Sequence, residues 1–400
     1  MNKQFLSDRV KNMASSATIE MSSKSRKLKE EGLDIINLSL GEPDFHTPDV
    51  VKQAAIDAIH NNYSKYTPIA GFDQLKQAIS NKFKRENNIN YKKNEIVVST
   101  GAKQSLANVI LALINEGDEV LLPSPYWVSY AEQIKLAGGI PREIQTYIDT
   151  DFKLTPKQLQ EAITSKTKMI IYSSPCNPSG SLYSREELDE LAEIILRKEG
   201  LFVLADEIYE YINFTGKPHA SMASNSKIWE RVITVNGVAK GFAMTGWRVG
   251  YIGAPEWICN ACTKIQGQFT SCANAIAQQA TITALDYGIE LTKDMRTAFE
   301  SRRNLVFNLL KEIPDIKVTQ PQGAFYFFPD VSAYFGKSFG DQVITNAKDL
   351  CMFILNKGLV ATVPGEAFGD SNCIRISYAT SEDLLSDAIK RITKVLKLLK

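Results

Sequence analysis

The chain has 400 residues, and its 46 Lys and Arg residues against 45 Asp and Glu residues give a formal net charge of +1. This balance, without any block of like charges, argues against binding to nucleic acid or to a membrane surface. No N-terminal apolar stretch resembles a signal peptide or a transmembrane span, so we expect a cytoplasmic protein. The length is sufficient for two domains that share a large core.

Short apolar runs alternate with helical patterns through the middle of the chain, from about residue 95 to residue 235. Runs that are apolar throughout are typical of strands buried on both faces in a parallel sheet. We therefore predict an α/β large domain, with a mostly parallel sheet flanked by helices. The predicted strands include residues 95–99, 168–172, 201–205 and 232–235.

The first of these strands is followed by Gly101, Ala102 and Lys103, which open a helix. Backbone N–H groups at a helix start bind anions, and the small side chains of Gly and Ala allow a ligand to approach closely. A Gly before a helix is common, so the pattern indicates an anion site only in combination with other features.

Two residues between the predicted strands have either a structural or a ligand-binding interpretation. Trp127 could pack in the core or stack on a flat ring. Asn177 lies in a stretch rich in Pro and Gly, where it could form the turn or donate a hydrogen bond from its side-chain amide.

Asp206 directly follows the apolar run 201–205, at the end of a strand where open α/β sheets bind ligands. Successive strand side chains point to opposite faces, so only one of Asp206 and Glu207 can face a ligand there. We favour Asp206, because the apolar run leads directly into it. Its structural alternative is a helix cap or a turn former.

Lys240 comes just after the strand 232–235, which Asn236 and Gly237 are predicted to end. Further along the same segment, Arg248 adds a fixed positive charge. An amine that can form an imine, close to a cation that can hold a phosphate, is what pyridoxal phosphate requires. A single lysine is usually a solvated surface residue, so this interpretation depends on the other residues of the pattern.

The C-terminal part of the chain has a different organisation. Residues 291–313 carry apolar side chains at helical spacing, which predicts a long helix linking two domains. Predicted strands at 316–318, 324–328, 360–362 and 373–378 alternate with helices, which indicates a smaller α+β domain.

Short motifs along the whole chain occur in the order found in one enzyme family. They are residues 16–18, 41–45, 65–66, 101–104, 125–130, 174–180, 206–209, 240–251, 323–326 and 375–378. The chain resembles the fold-type I pyridoxal-phosphate aminotransferases of class I, most closely the prokaryotic-type aspartate aminotransferases of subgroup 1β. The resemblance implies a large domain of residues 46–290 and a small domain formed by residues 1–45 and 291–400.

The resemblance also implies contacts to the cofactor. Lys240 would bind its aldehyde covalently and then carry the reacting proton. The remaining contacts would be Asp206 to the pyridinium, Asn177 and Tyr209 to the phenolic oxygen, Trp127 stacked on the ring, Arg248 with the amides of Gly101, Ala102 and Lys103 on the phosphate, and Tyr66 on the phosphate in the neighbouring subunit of a homodimer.

Substrate contacts follow from the same resemblance. Arg375 would bind the α-carboxylate as a two-pronged fork, with Gly41 closing over it. A dicarboxylic substrate needs a second cation, and the resembling subgroup places Lys103 there. The other implied substrate contacts are Ser16, Thr18, Trp127 and Asn177.

The predicted reaction is amino transfer from aspartate to 2-oxoglutarate in two half-reactions at one site. The open alternatives are an aspartate/glutamate–prephenate or aromatic aminotransferase and a β-lyase or a lyase similar to aminocyclopropane-carboxylate synthase. A non-enzymatic regulator would need an added basic DNA-binding segment, which this sequence lacks. No metal site is expected, because the three histidines are dispersed and Cys259-x-x-Cys262 has no second pair.

Two residues depart from the family pattern or lack a role within it. Many class I enzymes carry a serine three residues before the lysine, whereas this chain has Gly237. One hydroxyl contact to the phosphate is therefore expected to be missing. Cys176, next to Asn177, has no role that the pattern assigns.

Overall fold

The computed structural model of the protein describes residues 5–14 and 17–400, so the predicted substrate contact Ser16 lies outside the described residues. The described chain forms helices on both sides of a central sheet, followed by a C-terminal mixed unit. The strands are β1 Ile36–Asn37, β2 Ile96–Ser99, β3 Glu119–Ser124, β4 Ile140–Gln145, β5 Thr167–Ser173, β6 Phe202–Asp206, β7 Val232–Gly237, β8 Gly250–Gly253, β9 Tyr326–Phe327, β10 Ser338–Phe339, β11 Gln342–Val343, β12 Val360–Ala361, β13 Val363–Pro364 and β14 Ile374–Ser377.

The helices are mostly amphipathic and bury one side against the sheets. They are α1 Asp8–Lys11, α2 Ala17–Glu30, α3 Asp49–His60, α4 Asp73–Asn87, α5 Ala102–Leu113, α6 Ser129–Leu136, α7 Pro156–Ala162, α8 Arg185–Leu196, α9 Glu256–Phe269, α10 Ala275–Tyr287, α11 Lys293–Lys311, α12 Ala347–Phe353 and α13 Glu382–Leu396. Among the described residues, no helix is long and apolar enough to cross a membrane.

The central sheet has seven strands in the order β2-β8-β7-β6-β5-β3-β4. The pairs from β7 to β4 are parallel, whereas β8 runs antiparallel to both of its neighbours. The inner strands are buried along almost their whole length, as their continuous apolar runs predict. The edge strand β4 is mostly exposed and carries Arg142 and Glu143, which makes this edge a poor template for pairing with another strand. The predicted α/β class is confirmed.

The C-terminal part builds a second apolar core around α11 and α13. A small sheet in the order β13-β14-β9 lies in this region, and β1 pairs with β12 in parallel. The pairing of β1 with β12 places the N-terminal residues beside the C-terminal unit. The division into residues 46–290 against residues 1–45 and 291–400 stays a prediction.

Three details of the strand prediction were wrong or incomplete. Residues 316–318 form only a single bridge, between Lys317 and Asp330, instead of a strand. The strand that was predicted to end before Asn236 continues to Gly237, because Asn236 and Gly237 pair with β8. Strand β8 itself was not predicted, since its sequence Gly-Tyr-Ile-Gly is short and half glycine.

Candidate active site

The functional candidates converge at the carboxyl ends of the central strands, around a cavity of about 340 Å³. This is the edge of an open α/β sheet at which ligands bind. Asp206 is the last residue of β6, and Asn177 and Lys240 follow β5 and β7. The cavity is lined by the predicted residues Thr18, Gly41, Ala102, Lys103, Trp127, Asn177, Asp206, Tyr209, Lys240, Arg248 and Arg375.

One end of the cavity is a cradle between the start of α5 and Arg248. Gly101 has φ +83°, and a Cβ added there would lie 2.3 Å from Nη2 of Arg248. A Cβ on Gly250 would likewise lie 2.1 Å from the amide nitrogen of Ala102. Gly101 is therefore required for the guanidinium to reach the helix start, and Gly250 is required for β8 to pass beside that helix start. The Gly101 N–H already donates to the Ser99 carbonyl oxygen at 2.8 Å, so the N–H groups of Ala102 and Lys103 remain for a ligand. Together with the positive end of the helix dipole, they make this cradle an anion site.

Gly237 is also enclosed. A Cβ at this position would lie 2.9 Å from the carbonyl oxygen of Val249 and 3.0 Å from Cα of Gly250. The strand pairing of β7 with β8 therefore leaves no room for the serine that many class I enzymes have here.

Asp206 is buried and faces the cavity. Its carboxylate accepts a hydrogen bond from the Tyr130 hydroxyl at 2.6 Å and from the Ile208 amide at 3.3 Å. Burial raises the pKa of Asp206 to about 6, although these two hydrogen bonds act in the opposite direction. Glu207 lies on the other side of the strand, 3.3 Å from His219. The alternation of side chains thus places Asp206, not Glu207, in the cavity.

Lys240 is half-buried and lines the cavity. Its Nζ donates a hydrogen bond to the Gly41 carbonyl oxygen at 2.5 Å. Burial lowers the pKa of Lys240 to about 8, and the positive charges of Arg375 and Arg248 act in the same direction. A lysine with this pKa is partly neutral near pH 7, as a nucleophile or base must be.

Tyr209 and Tyr326 join the two parts of the molecule above the cavity. Their hydroxyl groups lie 2.8 Å apart and share a hydrogen bond. A Cβ on Gly41 would lie 2.6 Å from the Tyr326 hydroxyl oxygen, so only glycine allows the N-terminal segment to pass here.

Arg375 is 2% exposed, and its guanidinium is held from several sides. It donates from Nη1 to Oδ1 of Asn177 at 2.9 Å and from Nη2 to the Ser39 carbonyl oxygen at 2.6 Å. Its Nε has no acceptor among the described residues. A buried guanidinium with a free donor is a site for an anionic ligand.

Lys103 and Trp127 lie together on another wall of the cavity. Nζ of Lys103 is 4.8 Å from the centre of the Trp127 ring. Burial, together with the positive charge of Arg248, lowers the pKa of Lys103. Thr18 contributes to the same cavity, whereas Tyr66 does not line it and is 92% exposed.

Sequence reasoning assigned no role to four residues near this site. They are Tyr130, which holds Asp206; Tyr326, which holds Tyr209; and the pair Thr245 and Glu42, whose side chains are hydrogen-bonded. A role for Tyr130 could have been predicted from the sequence. It lies three positions after Trp127, and the hydroxyl of a buried tyrosine needs a hydrogen-bond partner. The other three form contacts with residues distant in the chain.

His219 was expected to be isolated, but the fold places it beside Glu207 and Glu210. Within the described ranges, these are the only three side chains of suitable type close enough to share a metal ion. Glu210 is already bound by the buried Lys82 ammonium and by the Asn87 amide at 2.8 Å. Lys82 and Asn87 therefore already satisfy one of the three groups, and none of the three side chains lines the cavity.

Comparison with known proteins identifies the class to which this fold and site belong. The family model described as Aminotransferase class I and II matches residues 33–392. The chain belongs to this family, whose members use pyridoxal phosphate, and it is a pyridoxal-phosphate-dependent aminotransferase.

Similar proteins span nearly the whole chain. An aspartate aminotransferase of Bacillus sp. (strain YM-2) is 43% identical over 99% of this chain and 100% of its own length. A protein of Petunia hybrida named bifunctional aspartate aminotransferase and glutamate/aspartate-prephenate aminotransferase is 45% identical over 99% of this chain and 83% of its own length. The crystal structure of the Rhizobium meliloti aspartate aminotransferase has a TM-score of 0.95 and 40% identity, covering 99% of both chains. A Thermus thermophilus aspartate aminotransferase with maleate has a TM-score of 0.91 and 37% identity, covering 98% of this chain and 99% of its own.

The residues of the cavity fit this cofactor. The cradle at Gly101 and Arg248 suits the phosphate, and the buried carboxylate of Asp206 suits a protonated ring nitrogen. The partly neutral amine of Lys240 lines the same cavity and suits the aldehyde. Each match is between complementary charges or reacting groups.

Proposed function

We propose that this protein transfers the amino group of aspartate to 2-oxoglutarate. Relatives that match the chain from end to end carry the name aspartate aminotransferase. The observation that carries the proposal is that two cations line the cavity, Arg375 and Lys103, in addition to the Arg248 and Lys240 assigned to the cofactor. Two such cations are what a substrate with two carboxylates requires.

We assign the cofactor contacts as follows. Arg248 and the N–H groups of Ala102 and Lys103, beside Gly101, would hold the phosphate, and Trp127 would stack on the ring. Asp206 pairs with the ring nitrogen, and its hydrogen bond from Tyr130 fixes the orientation of the carboxylate. Asn177 and Tyr209 bind the phenolic oxygen. When bound, pyridoxal phosphate supplies an electron sink that stabilises negative charge on the substrate α-carbon.

Lys240 is the proposed base. Its Nζ would remove the α-proton of the amino acid, hold that proton and deliver it again within the same cavity. The pKa of about 8, lowered by burial, is close to the working range that proton transfer favours. The same lysine serves both half-reactions, so the proposed kinetics are ping-pong.

Arg375 is the proposed anchor of the α-carboxylate. Asn177 and the Ser39 carbonyl hold its guanidinium in place, and its remaining N–H groups face the ligand. Gly41 lies over the same group and closes the site. Lys103 and Thr18 bind the distal carboxylate, and we assign Ser16 to the same carboxylate on the basis of the resemblance alone.

Prephenate is a second candidate amino acceptor. Several relatives are named aspartate/prephenate aminotransferase, among them those of Nitrosomonas europaea and Cereibacter sphaeroides. Prephenate is also a dicarboxylate, so the same two cations suit it.

We also propose that the protein works as a cytoplasmic homodimer with shared active sites. Tyr66 is 92% exposed and Phe269 is 71% exposed. Their segments are neighbours, because the Gln266 amide donates to the Ile69 carbonyl at 2.8 Å. Large exposed aromatic side chains on adjoining segments are typical of a subunit interface. In this arrangement Tyr66 reaches the phosphate of the other subunit.

The test is a steady-state assay of oxaloacetate formation from aspartate and 2-oxoglutarate. The wild-type protein with pyridoxal phosphate should show parallel double-reciprocal plots, and Lys240→Ala should lose nearly all activity. Product formation by Lys240→Ala at a rate near that of the wild type would refute the role of Lys240. A wild-type protein inactive with both 2-oxoglutarate and prephenate would refute the proposed reaction.

A further inference from the structure

The N-terminal segment of residues 39–47 crosses the entrance of the cavity, and we call it the crossing segment. It makes four hydrogen bonds with the loop of residues 240–248. Besides the bond of Lys240 to Gly41, the hydroxyl of Thr47 donates to the Ala243 carbonyl oxygen at 2.8 Å and accepts from Nε1 of Trp247 at 3.0 Å. The fourth is the hydrogen bond that the Thr245 hydroxyl donates to the Glu42 carboxylate.

The contact between Glu42 and Thr245 differs from the other three because it adds a negative charge. Thr245 is also tied to the phosphate cradle, since its carbonyl oxygen accepts a hydrogen bond from Nη1 of Arg248 at 3.0 Å. A single hydroxyl-bearing residue therefore connects the carboxylate of the crossing segment with the arginine of the cradle.

The charges that face the Lys240 amine come from four elements. Arg375 on β14 and Arg248 of the loop favour the neutral amine, as burial does. Asp206 on β6 and Glu42 on the crossing segment favour the ammonium form. Asp206 is taken up by the cofactor ring in the proposed function, which leaves Glu42 as the negative charge that stays opposite the lysine.

We propose that Glu42 is a positioning residue for Lys240: through the Thr245 hydroxyl it holds the 240–248 loop against the crossing segment, and it sets the negative charge that faces the lysine amine. The inference rests on the proposed role of Lys240 as the group that reacts with the cofactor aldehyde. Glu42 itself acts only through Thr245 and through its electrostatic field.

The negative charge of Glu42 determines the direction in which this residue shifts the pKa of Lys240. A carboxylate favours the protonated amine, so Glu42 raises the pKa of Lys240 against the effect of burial. Replacing Glu42 by Gln removes the charge and keeps a hydrogen-bond acceptor for Thr245. The fraction of neutral Lys240 at a given pH below its pKa should then increase.

The experiment measures covalent capture of pyridoxal, which has no phosphate, by the cofactor-free full-length protein. The neutral Lys240 amine attacks the aldehyde carbon, a C=N bond forms and one water leaves. The rate is followed by absorbance from acidic to alkaline pH and divided by its plateau at high pH. The pH midpoint of Glu42→Gln should be lower than that of the wild type. Its normalised rate below the midpoint should be about two- to fivefold higher, which is the effect expected from a single exposed charge.

Asp44→Asn is the matched control, because Asp44 lies on the same segment but pairs with Arg302 at 2.6 Å. It removes the same charge and should leave the midpoint unchanged. In 1 M salt the difference between Glu42→Gln and the wild type should shrink, since Glu42 is exposed and its field is screened. Thr245→Val should shift the midpoint in the same direction, and Thr245→Ser should restore it.

Different results would contradict the role of Glu42, the role of Thr245 and the role of Lys240. A Glu42→Gln profile that coincides with the wild type, or an equal shift in Asp44→Asn, would overturn the role of Glu42. A Thr245→Val profile identical to the wild type would overturn the role of Thr245. Wild-type protein that does not capture pyridoxal, or Lys240→Ala that still does, would instead refute the proposed role of Lys240.

Discussion

Asp206 and Lys240 illustrate how burial prepares two side chains for opposite tasks. Burial disfavours the charged form of each, so it raises the pKa of Asp206 to about 6 and lowers the pKa of Lys240 to about 8. In the proposed function, a cationic ring nitrogen beside Asp206 would offset the cost of its buried charge. A bond from the Lys240 nitrogen to the aldehyde carbon would likewise avoid the cost of burying an ammonium group.

The pKa of Asp206 predicts how cofactor affinity depends on pH. Pairing with a cationic ring nitrogen favours the ionised carboxylate, so binding is strongest above the pKa of the free site. As pH falls below about 6, Asp206 takes up a proton and affinity should fall by up to about tenfold per pH unit. The dissociation constant is measured by titrating the cofactor-free protein with pyridoxal phosphate at pH 5 and pH 7.

Asp206→Asn is the control for that dependence. It should bind the cofactor weakly at both pH values, with a smaller change between them than the wild type shows. An equal change in the two proteins would mean that another group causes the pH dependence.

Lys103 predicts the selectivity for acidic substrates. Loss of a hydrogen bond to a charged group costs about 1.5–3 kcal/mol, which is about a tenfold to hundredfold change in kcat/KM. Lys103→Ser should therefore lower kcat/KM for aspartate by this factor and change that for phenylalanine much less. Lys135→Ser, at an exposed lysine paired with Glu132, is the matched control and should change neither. Equal losses for aspartate and phenylalanine would refute the assignment.

The start of helix α5 is the element on which the phosphate cradle depends. Gly101→Ala would place a methyl group 2.3 Å from the Arg248 guanidinium and should weaken cofactor binding at least about tenfold, through loss of a charge-assisted contact. The measurement is the dissociation constant for pyridoxal phosphate.

Gly117→Ala is the control for Gly101→Ala. It separates the steric clash with Arg248 from the backbone strain of an alanine at positive φ. Gly117 has the same φ of +83°, but nothing lies within 4 Å of its added Cβ. It should lose some stability and keep normal cofactor affinity. A similar loss of affinity in both variants would contradict the role of the cradle.

The strand ends explain which site residues sequence alone could predict. Gly101, Asn177, Asp206 and Lys240 each follow an apolar run, and the carboxyl ends of neighbouring strands must meet at one edge. The run before Asp206 also indicated its orientation correctly. The positions of β8 and of the bridge at Lys317 could not be predicted. They depend on pairing with residues distant in the chain, which the local sequence pattern does not reveal.

Contacts between distant segments were beyond the reach of pattern reasoning. Glu42 and Thr245 are 203 positions apart in the chain, and Tyr209 and Tyr326 are 117 apart. Neither pair has a spacing that local periodicity can detect. Their proximity follows from the whole fold, in which β1 pairs with β12 and brings the N-terminal segment to the cavity.

For the whole molecule, the homodimer proposal predicts complementation between two defective variants. Tyr66→Ala should impair the site of the other subunit, and Lys240→Ala should inactivate its own. A mixed dimer then has one site with both residues intact, so equal mixing and reassembly should restore about a quarter of wild-type activity. The assay is activity before and after joint dissociation and reassembly. No recovery, although mixed dimers form, would contradict the sharing of Tyr66 between subunits.

In the proposed function, one cavity of the protein carries out an amino-transfer half-reaction with acidic amino acids. The most direct test adds aspartate, glutamate or phenylalanine to the cofactor-loaded protein without any oxo acid, while absorbance and products are followed. We predict stoichiometric conversion of the cofactor to its aminated form with release of the matching 2-oxo acid, most readily with aspartate and glutamate. A cofactor that stays in its aldehyde form while pyruvate or ammonia accumulates would contradict the account and indicate a lyase.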